Sequence, residues 1–373
     1  MHEIIGKHKS TLDTPCLVID KKLLNANLMT LQQDANLANK NVRPHAKTHK
    51  CTKICRQQIE TGAVGICVTK VSEAVILAEQ NFKNTLITSP VVTSTKINNL
   101  MYCLKKDPQL TIVLDNIQNA TTLNLVASNN NLKLNVLIDI DAGIGRTGIA
   151  FQNVLGFAQA LCQFTSLNLK GIQCYAGNLQ HIEDYKSRYN ASTEVMKKAG
   201  KCINQLAAAG FNSEILTGSG TGTYEIDMQI PEVTEIQPGS YTVMDAEYFA
   251  IDSSKNVKHN KKFQPALTLI TSVISANHAT HVTCDAGWKA LYEVPTKPLI
   301  LNPKGYLYDW GGFGDEHGKI TAVNNNKLPK LGDRLELMVA HCDPTINMYD
   351  YFYITENDIV VDVWPIDMRG KSQ

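Results

Sequence analysis

The chain has 373 residues, 43% of them hydrophobic and 19% charged, which is enough apolar material for two domains or a barrel with an appended module. Its 36 Lys+Arg against 35 Asp+Glu leave a formal net charge of +1, so no overall field exists to gather nucleic acid or to coat an anionic membrane. Met1 to Lys9 carries charge rather than a signal-peptide core, and no apolar run approaches the ~18 residues of a membrane span. A cytoplasmic protein is therefore expected. Its ten scattered cysteines should be reduced and mostly buried, with Cys51 and Cys55 too far apart for a Cys-x-x-Cys site.

The first 250 residues alternate short β-branched runs with longer amphipathic ones. Strands are predicted at Cys16 to Asp20, Val42 to Lys47, Val64 to Thr69, Thr85 to Thr88 and Leu110 to Leu114. They continue at Leu134 to Asp139, Leu169 to Cys174, Glu214 to Leu216 and Thr234 to Ile236. Helices are predicted between them at Lys22 to Ala38, Cys51 to Thr61, Ser72 to Gln80, Thr95 to Leu104, Val154 to Phe164 and Glu183 to Ala209. A strand–helix repeat of roughly 25 residues signals parallel βα units, and about eight of them make a (β/α)8 barrel of ~250 residues. A doubly wound open sheet has the same periodicity. After about Ser254 the helical patterns give way to alternating segments, Ala266 to Ser275, His278 to Cys284, Asp333 to Val339 and Asp358 to Trp364. Turn residues at 302–305 and 311–312 break them up, and this texture reads as an antiparallel β module. The expected organisation is an α/β chain: a TIM barrel over 14–253, then a β domain over 254–373 with which residues 1–13 pack.

Five constellations can carry chemistry. In Arg43-Pro44-His45-Ala46-Lys47-Thr48-His49-Lys50, strand alternation puts Arg43, His45 and Lys47 on one face. In a barrel that face points inward, with Lys47 at the C-terminal end where barrel active sites lie. Partial burial and neighbouring cations would lower its pKa and free its amine for attack on an aldehyde. The alternative is a surface lysine in a basic loop. The turn Asp139-Ile140-Asp141-Ala142-Gly143-Ile144-Gly145-Arg146-Thr147-Gly148 gives backbone freedom after an apolar strand, either beside a ligand or as an ordinary βα turn. Cys174-Tyr175-Ala176-Gly177-Asn178-Leu179-Gln180-His181 follows another strand. Thr217-Gly218-Ser219-Gly220-Thr221-Gly222-Thr223 lets backbone N–H groups converge on an anion, as late loops of such barrels do, unless it is a linker. In Ala340-His341-Cys342-Asp343-Pro344, an extended backbone turns His341 and Asp343 the same way, and this pattern is either half of a divalent-cation site or a hydrogen-bonded pair.

The segment Pro-His-Ala-Lys-Thr-His-Lys resembles the cofactor-lysine segment of the D-threonine aldolase and eukaryotic-type D-serine dehydratase family. The similarity runs from Thr14-Pro15 to Met368-Arg369-Gly370, with the motifs in the same order. The resemblance implies an alanine-racemase-like fold, in which a barrel binding pyridoxal 5'-phosphate (PLP) precedes a β domain, and Lys47 as the Schiff-base lysine. It further implies Arg146 near the cofactor's phenolic oxygen, Tyr175 against its ring and His181 as a proton-transfer group. Ser219, Gly220 and Thr221, with the second turn at Gly239 and Ser240, become phosphate contacts. His341 and Asp343 become ligands of a catalytic metal. Two positions depart from the relatives: Asn178 stands where the family often has histidine, and Gln237 where alanine racemases have arginine.

At the second metal position D-serine dehydratases tend to have cysteine, suited to Zn2+. D-threonine aldolases tend to have aspartate, suited to Mn2+, Mg2+ or Co2+. Asp343 therefore favours the aldolase with Mn2+: cleavage of a small D-3-hydroxy amino acid to glycine and an aldehyde. A D-serine or D-3-hydroxyaspartate dehydratase is the alternative. A racemase would need a second base, for which Tyr292, Tyr306 and Tyr308 offer no motif, and a non-catalytic PLP carrier would generally lack the β module. The resemblance also implies a homodimer.

Overall fold

The computed structural model describes residues 2–254, 262–292, 296–324 and 326–373. The chain divides into two compact units. One comprises Leu31–Lys47, Ile54–Gly239 and Gly370–Gln373, the other Met1–Thr30, Thr48–Lys53 and Ser240–Arg369.

The first unit is built on eight parallel strands. They are β2 (Asn41–Val42), β3 (Cys67–Val68), β4 (Leu86–Ile87), β5 (Thr111–Leu114), β6 (Leu134–Ile140), β7 (Leu167–Cys174), β8 (Ile215–Gly218) and β9 (Glu235–Ile236). The ladder runs β2-β9-β8-β7-β6-β5-β4-β3. Its two ends meet through a parallel bridge between His45 and Cys67, with Ala46 N–H donating to the Cys67 carbonyl at 2.8 Å and Cys67 N–H to the Pro44 carbonyl at 2.9 Å. Strands buried on both faces need continuous apolar runs, which Ile112 to Leu114 and Val136 to Ile138 supply. Cys67, Leu86, Val113 and Leu137 form an interior cluster. Each fully buried Ile or Leu contributes roughly 1.5–3 kcal/mol. All the predicted helices of this region are present, together with Ile117–Asn129 and the single turn Tyr224–Asp227, which the sequence did not betray.

The other unit holds a nine-stranded sheet. Its centre is β10 (Leu267–Ser275), flanked by β11 (Val282–Cys284), β1 (Cys16–Asp20) and β15 (Arg334–Met338). Outward lie β12 (Leu299–Asn302), β13 (Tyr306–Asp309), β14 (Gly318–Ala322), β16 (Tyr351–Glu356) and β17 (Ile359–Pro365). Every pairing is antiparallel except that of β1 with β16. The organisation departs from the sequence reading at β1, and also at 21–30, 48–53 and 240–253, which cluster with the sheet unit. Cys16–Asp20 is a sheet strand here and not a barrel strand: it pairs with β10 and β16, and Cys16 and Val18 pack among Ile270, Val360 and Leu12. Residues upstream belong to the same unit, held by Thr14 donating to Asp285 at 2.6 Å and by Lys9 between Glu336 and Asp358, both at 2.7 Å. Of the expected surface turn at 324–326, Asn325 lies outside the described residues.

Cys162 is exposed and the other nine cysteines are buried; none is disulfide-bonded among the described residues. No described helix is long and apolar enough to cross a membrane.

Candidate active site

In the barrel unit the polar groups gather at the C-terminal ends of the strands. Beyond Val42 the ladder keeps only the bridge at His45, and half-buried Lys47 falls in the turn that follows. Lys47 is therefore presented by a turn rather than by a strand face, though at the expected end. Arg43 is no free cation beside it. Its guanidinium makes a buried, two-pronged pair with Glu235 at 2.7 and 2.8 Å and also donates to the Asn84 carbonyl. His45 Nε2 lies 3.0 Å from Thr88 Oγ1.

That contact opens a buried network across the strand ends. Gln173 donates to the Thr88 carbonyl at 3.3 Å and to Asp139 at 2.9 Å, and Thr147 donates to the other oxygen of Asp139 at 2.8 Å. Gln237 donates to Thr217 at 2.9 Å and to Gln173 at 3.3 Å. Burial pushes the Asp139 carboxyl up to about 6, against the two donors that favour its charge. Gln237 is thus a neutral amide engaged in the barrel floor, where an arginine would have brought charge. Asp141 organises the glycine-rich turn by accepting from Gly145, Gly143 and Ile144, and these bonds hold its carboxyl below the usual range. The turn carries exposed Arg146 to within 5.8 Å of the Tyr175 ring centroid.

The loop after β8 is shaped for a close approach of backbone. Ser219 adopts the left-handed region at φ 70° and is 2% exposed. Its Oγ makes no hydrogen bond of ordinary geometry, although it sits near enough to the buried Asp227 to favour that group's charge against burial. Asp227 accepts from Ser192 at 2.5 Å and Thr223 at 2.7 Å. Gln180 braces the loop from the other side, donating to Thr223 at 3.0 Å and accepting from Gly222 at 3.1 Å. A Cβ at Gly222 would stand 2.0 Å from the Gln180 carbonyl oxygen, so only glycine fits there. A buried hydroxyl without a hydrogen bond, in a glycine cradle, suits a phosphate monoester. His181 follows in an exposed turn before the helix Tyr185–Ala208.

In the sheet unit, His341 caps the short helix Cys342–Ile346. Its Nδ1 lies 3.0 Å from Asp245 Oδ2 and 3.4 Å from Glu247 Oε2. Burial pulls the imidazole pKa down, but the bond to Asp245 and the charges of Asp343, Asp245 and Glu247 outweigh it and raise the group to about 9. Cys342 is fully buried, and burial lifts its thiol well above the ordinary value. Its Sγ lies 3.1 Å from Asp245. Asp343 is half-buried, with Ser240 Oγ donating to it at 3.5 Å. Ser240 therefore falls in the sheet unit beside Asp343, whereas Gly239 belongs to the barrel unit. Ligand-capable atoms of Asp245, His341 and Cys342 all lie within 4.8 Å of one another. Asp245 and Glu247 were not apparent from sequence, because their partner is about a hundred residues away. Gln180, inside a quoted motif, carried no distinguishing signal.

Two family models match the chain. The alanine racemase N-terminal domain model matches residues 19–247, and a serine dehydratase domain model matches 266–355. A 3-hydroxy-D-aspartate aldolase of Paracoccus denitrificans (strain Pd 1222) is 31% identical, covering 98% of this chain and 95% of its own. A D-threonine aldolase of Arthrobacter sp is 31% identical over 99% and 96%. The crystal structure of D-threonine aldolase from Filomicrobium marinum superposes with a TM-score of 0.90 at 31% identity, covering 99% of this chain and 98% of the other. With a matching barrel and full-length relatives of the same two-part build, the chain belongs to the alanine-racemase-like family of PLP enzymes.

Proposed function

We propose that the chain cleaves a D-3-hydroxy amino acid to glycine and an aldehyde, with PLP held by Lys47 and a divalent cation held by His341 and Asp343. The observation that carries this reading is the state of the Ala340-His341-Cys342-Asp343 segment. Cys342 is buried and turned to Asp245, whereas Asp343, a hard oxygen donor, is half-exposed. The 31% identity to aldolases over nearly the whole chain supports the same side, since the dehydratase relatives match at lower identity.

Bound PLP supplies an electron sink for the bond broken at Cα, and the cation supplies Lewis acidity at the β-hydroxyl. The residues do the rest. Lys47 would hold the cofactor's aldehyde through its amine, with Tyr175 as the candidate ring contact and Arg146 as the candidate partner of the phenolic oxygen. Ser219, Gly220 and Thr221 hold the phosphate from one turn, and Gly239 and Ser240 from the next. His341 Nε2 and the Asp343 carboxylate fix the cation, Mn2+ by the hardness of the donors, with Mg2+, Co2+ and Zn2+ as weaker candidates. His181 would accept the β-hydroxyl proton at an imidazole nitrogen as the Cα–Cβ bond opens and the aldehyde leaves, and a proton delivered to Cα would then complete glycine. A homodimer is the assembly proposed, in keeping with the resemblance.

The test incubates the purified protein with PLP, Mn2+ and D-threonine, with and without chelator, and follows products by NMR. Chelator-sensitive glycine and acetaldehyde are expected. Chelator-sensitive 2-oxobutanoate and ammonia would replace this reading with the dehydratase one. D-3-hydroxyaspartate is the second substrate to try.

A further inference from the structure

Asp245 has no part in the reading above, yet its side chain is 0% exposed. Its Oδ2 receives Cys342 N–H at 3.0 Å, the Cys342 thiol at 3.1 Å and His341 Nδ1 at 3.0 Å. Its Oδ1 receives Tyr248 N–H at 2.9 Å, capping the helix Ala246–Ala250. Backbone bonds brace the arrangement, Ala246 N–H to the Val339 carbonyl at 3.0 Å and Glu247 N–H to the Ala340 carbonyl at 3.2 Å.

A carboxylate offers about four acceptor sites, and four donors already converge on this one. A cation bound to Asp245 would have to displace some of these donors, and a buried donor left unsatisfied costs about 1–3 kcal/mol. The three-residue cluster of Asp245, His341 and Cys342 is therefore better explained as a support for the histidine than as a coordination sphere. We infer that Asp245 is a positioning residue: it keeps a proton on His341 Nδ1 and aims Nε2 at the cation, while Cys342 stays out of the coordination sphere. Glu247 Oε2, 3.4 Å from the same nitrogen, adds a second acceptor for that proton. A ligating histidine whose other nitrogen is held by a carboxylate is more basic and rotationally fixed, and loss of such a partner weakens metal binding 10–100-fold. The inference rests on His341 and Asp343 being the ligands.

The test is Mn2+ affinity of the PLP-loaded protein, read by EPR of free Mn2+. Asp245→Asn should weaken binding about 10–100-fold, since asparagine still caps a helix but is a poorer acceptor for Nδ1–H. Cys342→Ala should stay within about twofold of the parent, and His341→Ala should abolish binding. If Asp245→Asn abolishes binding as completely, if Cys342→Ala weakens it as much as Asp245→Asn does, or if Asp245→Asn changes nothing, the inference is overturned. Asp343→Asn is the separate control: unchanged affinity there removes the ligand assignment itself, whatever the Asp245 arm shows. A second measurement needs no variant. With ring-15N histidine and diamagnetic Mg2+, the His341 Nδ1–H signal should persist on loading while Nε2 shifts, and loss of Nδ1–H would refute the positioning role.

Discussion

Asp139→Asn isolates the cost of the charge buried in the barrel floor. The carboxyl titrates near 6 instead of 3.8, so ionising it in the folded chain costs about 3 kcal/mol more than in the unfolded one, at about 1.4 kcal/mol per pH unit. A raised folded-state pKa contributes stability that is full below 3.8 and lost as pH rises through 6. At pH 8 the wild type therefore carries the whole cost, about 3 kcal/mol, and at pH 5 roughly half of it. The amide keeps both hydrogen bonds. Its oxygen accepts from Gln173, and its NH2 turns Thr147 from donor to acceptor. Hydrogen exchange of peptides covering β6 and β7, in the cofactor-free protein, should show the variant more protected by about 3 kcal/mol at pH 8 and by about half that at pH 5. An equal difference at the two pH values, or a loss at both, would refute the argument that burial holds this carboxyl up.

Borohydride reduction of the PLP-loaded protein followed by peptide mapping should place the label on Lys47; label on Lys50 or Lys53 would move the site. Gly222→Ala must displace the Gln180 carbonyl by more than about 1 Å, since C···O contacts sit near 3.3 Å. The cradle opens and PLP affinity should drop at least tenfold by absorbance titration, an overpacking cost of about 1–3 kcal/mol, while parent-like affinity would remove this loop from the phosphate site. Glu235→Ala leaves Arg43 buried without its partner and should destabilise the barrel by about 3–5 kcal/mol, whereas the paired change Arg43→Met with Glu235→Leu should be near neutral, both read by pulse proteolysis.

Much of the barrel was legible because parallel strands buried on both faces are apolar runs, and the amphipathic segments between them repeat at a fixed interval. The helix Ile117–Asn129 escaped because small or polar residues, Asn119, Ala120 and Ala127, do most of its burying, with Leu123 the single large one. The short strands β12 to β14 carry partly exposed patterns that alternate over too few residues to register. Strand β1 was legible as a strand but not as to its sheet, since a run buried on both sides looks alike in either. Lys47, the Ser219 loop and the His341 segment stood out as local motifs. Asp245 did not, because a support residue is defined by what it faces, and His341 is 96 positions away in the chain.

The placement of β1 has a consequence for biosynthesis. Leu17 to Asp20 align with Phe352 to Thr355, so the neighbour on that side leaves the ribosome about 335 residues after β1. At about 5–20 residues per second, the first strand waits roughly 20–60 s for it, while the whole barrel sequence has already emerged. Over that interval a strand made of Cys16-Leu17-Val18-Ile19 offers an unpaired, aggregation-prone edge. Premature termination anywhere before Tyr351 would leave it so permanently, making early-stopped chains clients for chaperones or proteases rather than stable fragments.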